Sequence, residues 1–228
     1  AALPSVPRSV RNPVATHEVC ATGTLNLLVA ARDENVRRFV CASSSSAYGN
    51  ADVDAKFEAL AIRPMSPYAV SKVAGELYAR VFHDIYGLET VVLRYFNIFG
   101  PRQDPASAYS AVVPLFISHA IQGSSPQIDG DGHQTRDFTF VQNAVFANLL
   151  GCSRDADLVA GHVFNVGCGD RVSVNQLWEE ICRITGATVS PTFGDPRPGD
   201  VRDSLASLER STALLGYTPR TSLIEGLQ

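Results

Sequence analysis

The hydrophobic pattern of the chain switches between a helical and a strand-like period, and the predicted elements alternate with it. Residues 17–33 set Val19, Leu25, Leu28 and Val29 among alanines and further leucines, which predicts a helix. Arg38–Ala42 is a short apolar run opening into four serines, which predicts a buried strand that ends in a loop. Residues 68–86 carry Val70, Val73, Leu77, Val81 and Ile85 at helical spacing, with Gly87 as the stop. Thr90–Arg94 reads as the next strand. Beyond Gly100 and Pro101 the elements shorten. Helices are predicted over 111–122, 141–152, 173–185 and 205–215, and strands over 135–140 and 162–166. This alternation predicts an α/β fold. Residues 1–100 read as the C-terminal part of a doubly wound parallel sheet domain. Residues 101–228 read as a smaller α+β lobe with segments returning to the sheet.

Composition narrows the function. With 228 residues, 45% hydrophobic and 18% charged, the chain is an ordinary globular one with enough material for a sizeable core. The net charge of -4 comes without a basic block, so neither nucleic acid nor a membrane surface is an expected partner. No apolar run approaches the ~20 residues that span a bilayer. Cys20, Cys41, Cys152, Cys168 and Cys182 are scattered without a CxxC pair, which predicts reduced thiols, a cytoplasmic protein and no metal site.

The chemistry concentrates at Tyr68-x-x-x-Lys72. Spacing of i, i+4 puts both side chains on one helical face. An ammonium near a phenol is expected to lower the tyrosine pKa toward neutrality, making Tyr68 a general base or acid for a hydroxyl. The serine cluster ends a predicted strand, where open α/β sheets place ligands, and Ser44 can hydrogen-bond the same substrate oxygen.

These residues, Ser44 with Tyr68-x-x-x-Lys72, resemble the triad of the extended short-chain dehydrogenases, the NAD-dependent epimerase/dehydratase family. SVPRS (5–9), GTLNLLVAA (23–31), SSSSAYG (43–49), SPYAVSK (66–72), LRYFNIFGPRQDP (93–105), GDG…RDFTFV (130–141), FNVG (164–167) and RPGDVRDS (197–204) extend the resemblance over nearly the whole chain. The serine block, SVPRS and RQDP look most like the branch acting on UDP-N-acetylglucosamine. The resemblance implies a Rossmann-like fold, NAD as cofactor and 4-epimerisation of a UDP-hexose through a 4-keto sugar. It also implies that roughly 80–90 residues with a GxxGxxG phosphate loop precede Ala1, since no such loop occurs here.

Roles carried over from the family are catalysis for Ser44, Tyr68 and Lys72, and cofactor contact for Ala1, Ala2, Ser43, Tyr68, Lys72 and Tyr95. Arg8, Ser9, Ser45 and Ser46 would face the sugar. Asn97, Arg136 and Arg197 would grip the diphosphate, and Asp200 the ribose. Ser204 would wall the sugar pocket, a small residue leaving room for a 2-N-acetyl group. Cys20 departs from the family's usual Asn. Ser45-Ser46 replaces the Asp-Glu of the dehydratases, which argues against elimination. The competing readings are a nucleotide-sugar oxidoreductase or decarboxylase on the same scaffold, and a fragment that only binds nucleotide-sugar. The resemblance further implies a homodimer through helices 17–33 and 68–86.

Overall fold

A computed structural model describes residues 2–106, 111–196 and 201–228. The chain opens with α1 (Val6–Arg11), α2 (Pro13–His17), a π-helical turn (Glu18–Thr22) and α3 (Gly23–Asp33). Then come β1 (Arg38–Ser44), a 3-10 turn (Ser45–Tyr48), α4 (Pro67–Tyr86), β2 (Glu89–Tyr95) and β3 (Asn97–Phe99). The second half runs α5 (Val112–Gln122), β4 (Gln127–Asp129), β5 (Thr135–Arg136), β6 (Phe138–Phe140), α6 (Val141–Ser153), α7 (Ala156–Val159) and β7 (His162–Val166). It ends with β8 (Val172–Ser173), α8 (Val174–Thr185), β9 (Thr192–Gly194), a π-helical turn (Ser211–Leu215) and α9 (Leu223–Leu227).

The main sheet is parallel, in the order β1-β2-β7, with Ser44 opposite Tyr95 and Tyr95 opposite Val166. The chain reaches β2 and β7 through helical crossovers, as parallel pairing requires. Strand β2 alternates strictly. Val91 and Leu93 face α6 with Ala147, Phe164 and Tyr217. Val92 faces the other way, into Leu28, Cys41, Ala79 and Phe82 of the α3/α4 layer. The sheet is therefore covered on both faces, as a doubly wound sheet must be. A separate core of Phe99, Val113, Phe116, Ile128, Phe138, Leu177, Trp178 and Ile181 joins α5 and α8 to the small parallel pairs β3-β6 and β4-β9. No helix among the described residues is long and apolar enough to cross a membrane.

Long elements follow the sequence pattern; several details differ. The N-terminal helix begins earlier than residue 17 and is interrupted by the π-helical turn, where the Thr24 hydroxyl donates to the Cys20 carbonyl at 2.7 Å. The apolar stripe read off 68–86 is mostly on the surface: Val70, Leu77, Val81 and Ile85 are all exposed. Ala69, Ser71, Val73, Gly75, Glu76, Ala79 and Phe82 make the buried face. The predicted strand over 135–140 is two short strands broken at Asp137. The predicted helix over 205–215 is extended through Ala206, because that stretch pairs with Lys56. Lys56 N–H donates to the Leu205 carbonyl at 2.8 Å, and Ser207 N–H to the Lys56 carbonyl at 2.9 Å.

Two buried polar centres tie these parts together. Glu76 on α4 receives Arg94 Nε of β2 at 3.0 Å and Ser43 Oγ of β1 at 2.9 Å, and the Arg94 guanidinium lies 4.6 Å over the Tyr48 ring. Asp137, fully buried between β5 and β6, accepts the backbone N–H groups of Cys168 (2.7 Å), Gly169 (3.0 Å) and Ala206 (3.2 Å). The fit is close enough that a Cβ on Gly167 would meet both Asp137 Oδ2 and Ala206 Cβ at 2.6 Å.

Burial pushes the Asp137 carboxyl up to about 6, against the pull of the three backbone donors. The unfolded chain would hold that proton only to about pH 3.9. The folded state thus binds it more tightly. Stability from this group is full below about pH 4 and is lost as pH rises through about 6, by about 3 kcal/mol. Urea unfolding across pH 4–7 should show this loss in the parent and not in Asp137→Asn. The variant should also lose about 2 kcal/mol at pH 4, because an amide cannot accept three N–H donors as a carboxyl does.

Candidate active site

The C-terminal end of β1 turns directly into the 3-10 turn, and this exposes three successive hydroxyls. Ser44, extended at φ -150°, caps that turn by accepting the N–H of Ser46 at 3.2 Å and its hydroxyl at 2.9 Å. Facing it is the start of α4. Ser66 caps the helix by accepting the Ala69 N–H at 3.2 Å, and Pro67 at the first position fixes the approach. Tyr68 thereby brings its phenol into the same cleft as the Ser44 hydroxyl, near enough for the two to interact. Tyr95, at the end of β2, closes the back of the site, its hydroxyl accepting from Asn148 Nδ2 at 2.7 Å.

A cleft of about 200 Å³ gathers Ser44, Ser45, Ser46, Tyr68, Tyr95, Asn97, Arg136 and Ser204 into one place. These residues come from distant parts of the sequence and from both cores. Asn97 and Arg136 also line an adjoining cavity of about 260 Å³, walled by Ile98, Phe99, Val112, Leu115, Phe116 and Ile128. The site is therefore two-part: a hydroxyl-rich end with a phenol, and an apolar end, with an arginine between. Gln134 borders the apolar end. Its Nε2 donates to the Asp129 carbonyl at 2.7 Å, which leaves its buried Oε1 without a partner among the described residues.

Several expected site residues stand elsewhere. Ser9 is fully buried and donates to the Val6 carbonyl at 2.7 Å, so it cannot face a sugar; Val6 lines the cleft from α1 instead. Arg8 and Ala2 are half-buried and outside the cleft lining. Ser43 faces inward and commits its hydroxyl to Glu76, because alternate residues of β1 point to opposite faces. Ala1, Arg197 and Asp200 lie outside the described residues.

The electrostatics of Tyr68 also differ from expectation. Burial pushes its phenol up to about 12; the Ser44 hydroxyl pulls it down, and nearby Cys20 adds to the rise. Lys72 does not lower it in this arrangement, since its ammonium donates to the Ala42 carbonyl at 2.9 Å. The charge of Lys72 bears instead on Cys41, whose thiol burial nevertheless raises to about 11.

The sequence reading missed Lys56, which lines the hydroxyl-rich end, and the apolar cavity under α5. The signal for the cavity is the VVPLF run at 112–116, apolar on nearly every side of a helix start. All five cysteines are unpaired, and no cluster of metal-ligating side chains occurs among the described residues.

The sequence profile of the NAD dependent epimerase/dehydratase family matches residues 1–167. A UDP-glucose 4-epimerase of Mycolicibacterium smegmatis is 37% identical over 228 residues, covering 100% of this chain and 72% of that protein. The crystal structure of a UDP-glucose 4-epimerase of Thermotoga maritima, with UDP-glucose, superposes with a TM-score of 0.94 at 37% identity, covering 100% of this chain and 72% of that one. A UDP-N-acetylglucosamine 4-epimerase of Methanobrevibacter ruminantium, in complex with UDP-N-acetylmuramic acid, gives 0.93 at 38%, covering 100% and 73%. A phenol beside a serine at the mouth of a parallel sheet, an arginine between a polar and an apolar cavity, and a profile match over most of the sequence agree: the chain belongs to the NAD dependent epimerase/dehydratase family.

Proposed function

We propose that the protein interconverts UDP-hexoses at C4, with UDP-N-acetylglucosamine and UDP-N-acetylgalactosamine as the favoured pair. The observation that carries this reading is the continuous site in which Tyr68 and Ser44 stand at one end and Asn97 and Arg136 lead to an apolar cavity at the other. A UDP-sugar has the matching order: a hydroxylated ring, an anionic diphosphate and a flat base.

Ser44 Oγ would hold the sugar O4, and Tyr68 Oη would take its proton and later return it. Arg136 offers a guanidinium fork to the diphosphate. The donor set also fits NAD. Lys72 spends one of its three N–H groups on Ala42 and can give the others to ribose hydroxyls, with Tyr95 beside it. NAD, when bound, supplies the reversible two-electron oxidation of C4. Tyr68 must shed its proton more readily than a buried phenol does, and Lys72, one turn along α4, is the side chain placed to assist. Ser45-Ser46 offers no acid for elimination, so inversion at C4 is the outcome.

Ser204 is buried at the cleft wall, next to the stretch clamped by Lys56. Its small size leaves room beside the sugar ring and supports the N-acetylated substrates. The neighbours include both sugar types, so they leave this choice to experiment. We also infer a homodimer. Val70, Leu77, Val81 and Ile85 on α4 and Leu27 on α3 expose apolar side chains on helices that pack side by side, a surface a two-fold partner would cover.

Assayed with NAD by chromatographic separation of the epimers, Tyr68→Phe should lower kcat by about 100- to 10,000-fold with little change in UDP affinity. Lys72→Met should lose more activity at pH 7 than at pH 9, since the unassisted phenol needs more alkaline solution to ionise; a uniform loss would argue against assistance by Lys72. Ser204→Tyr should lower turnover of UDP-N-acetylglucosamine by about 10-fold or more while sparing UDP-glucose. Equal losses would refute the pocket assignment. Sedimentation equilibrium should give a dimer, and Val81→Glu with Ile85→Glu should give a folded monomer.

A further inference from the structure

The cleft holds a second cation that neither the family triad nor the expected diphosphate ligands include. Lys56 is only 3% exposed, yet its side chain lines the same cleft as Ser44, Tyr68, Arg136 and Ser204. Its ammonium donates to the Gly49 carbonyl at 2.8 Å. Gly49 holds that carbonyl in place through a left-handed φ of 56°, where any Cβ would strike the Arg63 carbonyl at 2.1 Å. The backbone of Lys56 is clamped on both sides by Leu205 and Ser207. The side chain is therefore fixed in position and desolvated.

A lysine buried in this way is costly unless an anion meets it. The charged groups facing it are Arg136 of β5, which repels it, and Asp203, which attracts it. Asp203 is exposed and accepts from the Thr135 hydroxyl at 2.6 Å. Glu58, two residues along, is turned away and accepts the Asn165 N–H at 2.7 Å. Burial, then the Arg136 charge, lower the Lys56 ammonium to about 8, with Asp203 opposing. Two cations that repel one another across one cleft make a favourable place for an anion.

We propose that Lys56 and Arg136 form a two-cation clamp on the diphosphate of the nucleotide sugar, with Lys56 reaching it from the sugar side. This rests on the nucleotide-sugar reading above and adds to it a binding residue. The diphosphate is the one anionic group every UDP-sugar carries. Placed between the two cations it relieves their repulsion and adds to the counter-charge that the exposed Asp203 gives Lys56. The clamp also makes affinity depend on pH. The ammonium is charged below about pH 8 and neutral above it, so the free protein binds the diphosphate less well as pH rises through that value.

Isothermal titration with UDP, which has the diphosphate and no hexose, tests this on the 228-residue chain. The UDP phosphate is fully ionised above about pH 7, with its second pKa near 6, so it does not titrate in the window. Lys56→Met should weaken UDP by about 10- to 100-fold at pH 7, the loss of one charge-assisted hydrogen bond. The parent's affinity should fall between pH 7 and 9, and the variant's should stay flat. Should Lys56→Met fail to fold, the parent's pH profile below pH 9, where the uracil N3–H also stays protonated, decides alone, because burial raises both cleft tyrosines, Tyr68 and Tyr95. UDP affinity that is independent of pH in the parent overturns the clamp. So does a variant that binds UDP normally but UDP-N-acetylglucosamine weakly, which would assign Lys56 to the sugar. Absence of UDP binding by the parent would overturn the nucleotide-sugar reading itself, and the clamp with it.

Discussion

One buried carboxyl governs the geometry of the substrate side. Asp137 stands between β5 and β6 and accepts backbone donors from the turn after β7 and from Ala206. Its own carbonyl receives the Asn97 N–H at 3.0 Å. Four chain segments thereby meet at a single residue, and three of them carry a cleft side chain nearby: Arg136 beside it, Asn97 across from it, Ser204 two positions from Ala206. Water cannot substitute for the carboxyl in so dry a place, because each of the three N–H groups would then lack an acceptor. The same desolvation raises its pKa, so the group that organises the site is also one that the fold holds only marginally in its ionised form.

The layered sheet was legible because its signals are periodic. The short apolar run at 91–93 marks a strand buried on both faces, and the helical spacing in 68–86 marks a long helix. The same periodicity misled about which face of α4 is inside. Small residues such as Ala69, Gly75 and Ala79 make the buried face, Gly75 against Thr24 of α3, whereas Val70, Leu77 and Val81 face outward. A hydrophobicity pattern ranks side chains by size and polarity. Helix-on-sheet packing at short distance selects for smallness instead.

The candidate site was legible where chemistry sets the residue, and illegible where the fold does. Ser44 and Tyr68 could be paired because hydroxyl and phenol types recur at a fixed spacing from a strand end and a helix cap. Ser43 and Ser9 have the same side chain as their neighbours, yet β-strand alternation and helix facing turn them inward to Glu76 and Val6. Lys56 escaped notice because a lysine in a loop ordinarily belongs to solvent. It is buried only because Leu205 and Ser207, some 150 residues on, pair with its backbone. The raised pKa of Tyr68 was hidden for a similar reason: burial sets it, while the i, i+4 spacing brings Lys72 to the right face only for a strand-end carbonyl to take its ammonium.

The stretch from Val201 to Ser207 has a consequence for how substrate choice can change. It is pinned at Arg202 by the Thr135 N–H and at Ala206 by Asp137, and it is tied to Lys56 at Leu205 and Ser207. Ser204 projects from a rail, not from a pliable tether. Exchanging that side chain alters the shape of the cavity without moving the backbone that bears it. On the proposed reading, sugar preference is therefore open to change through one side chain at this point while the pinned backbone keeps its place.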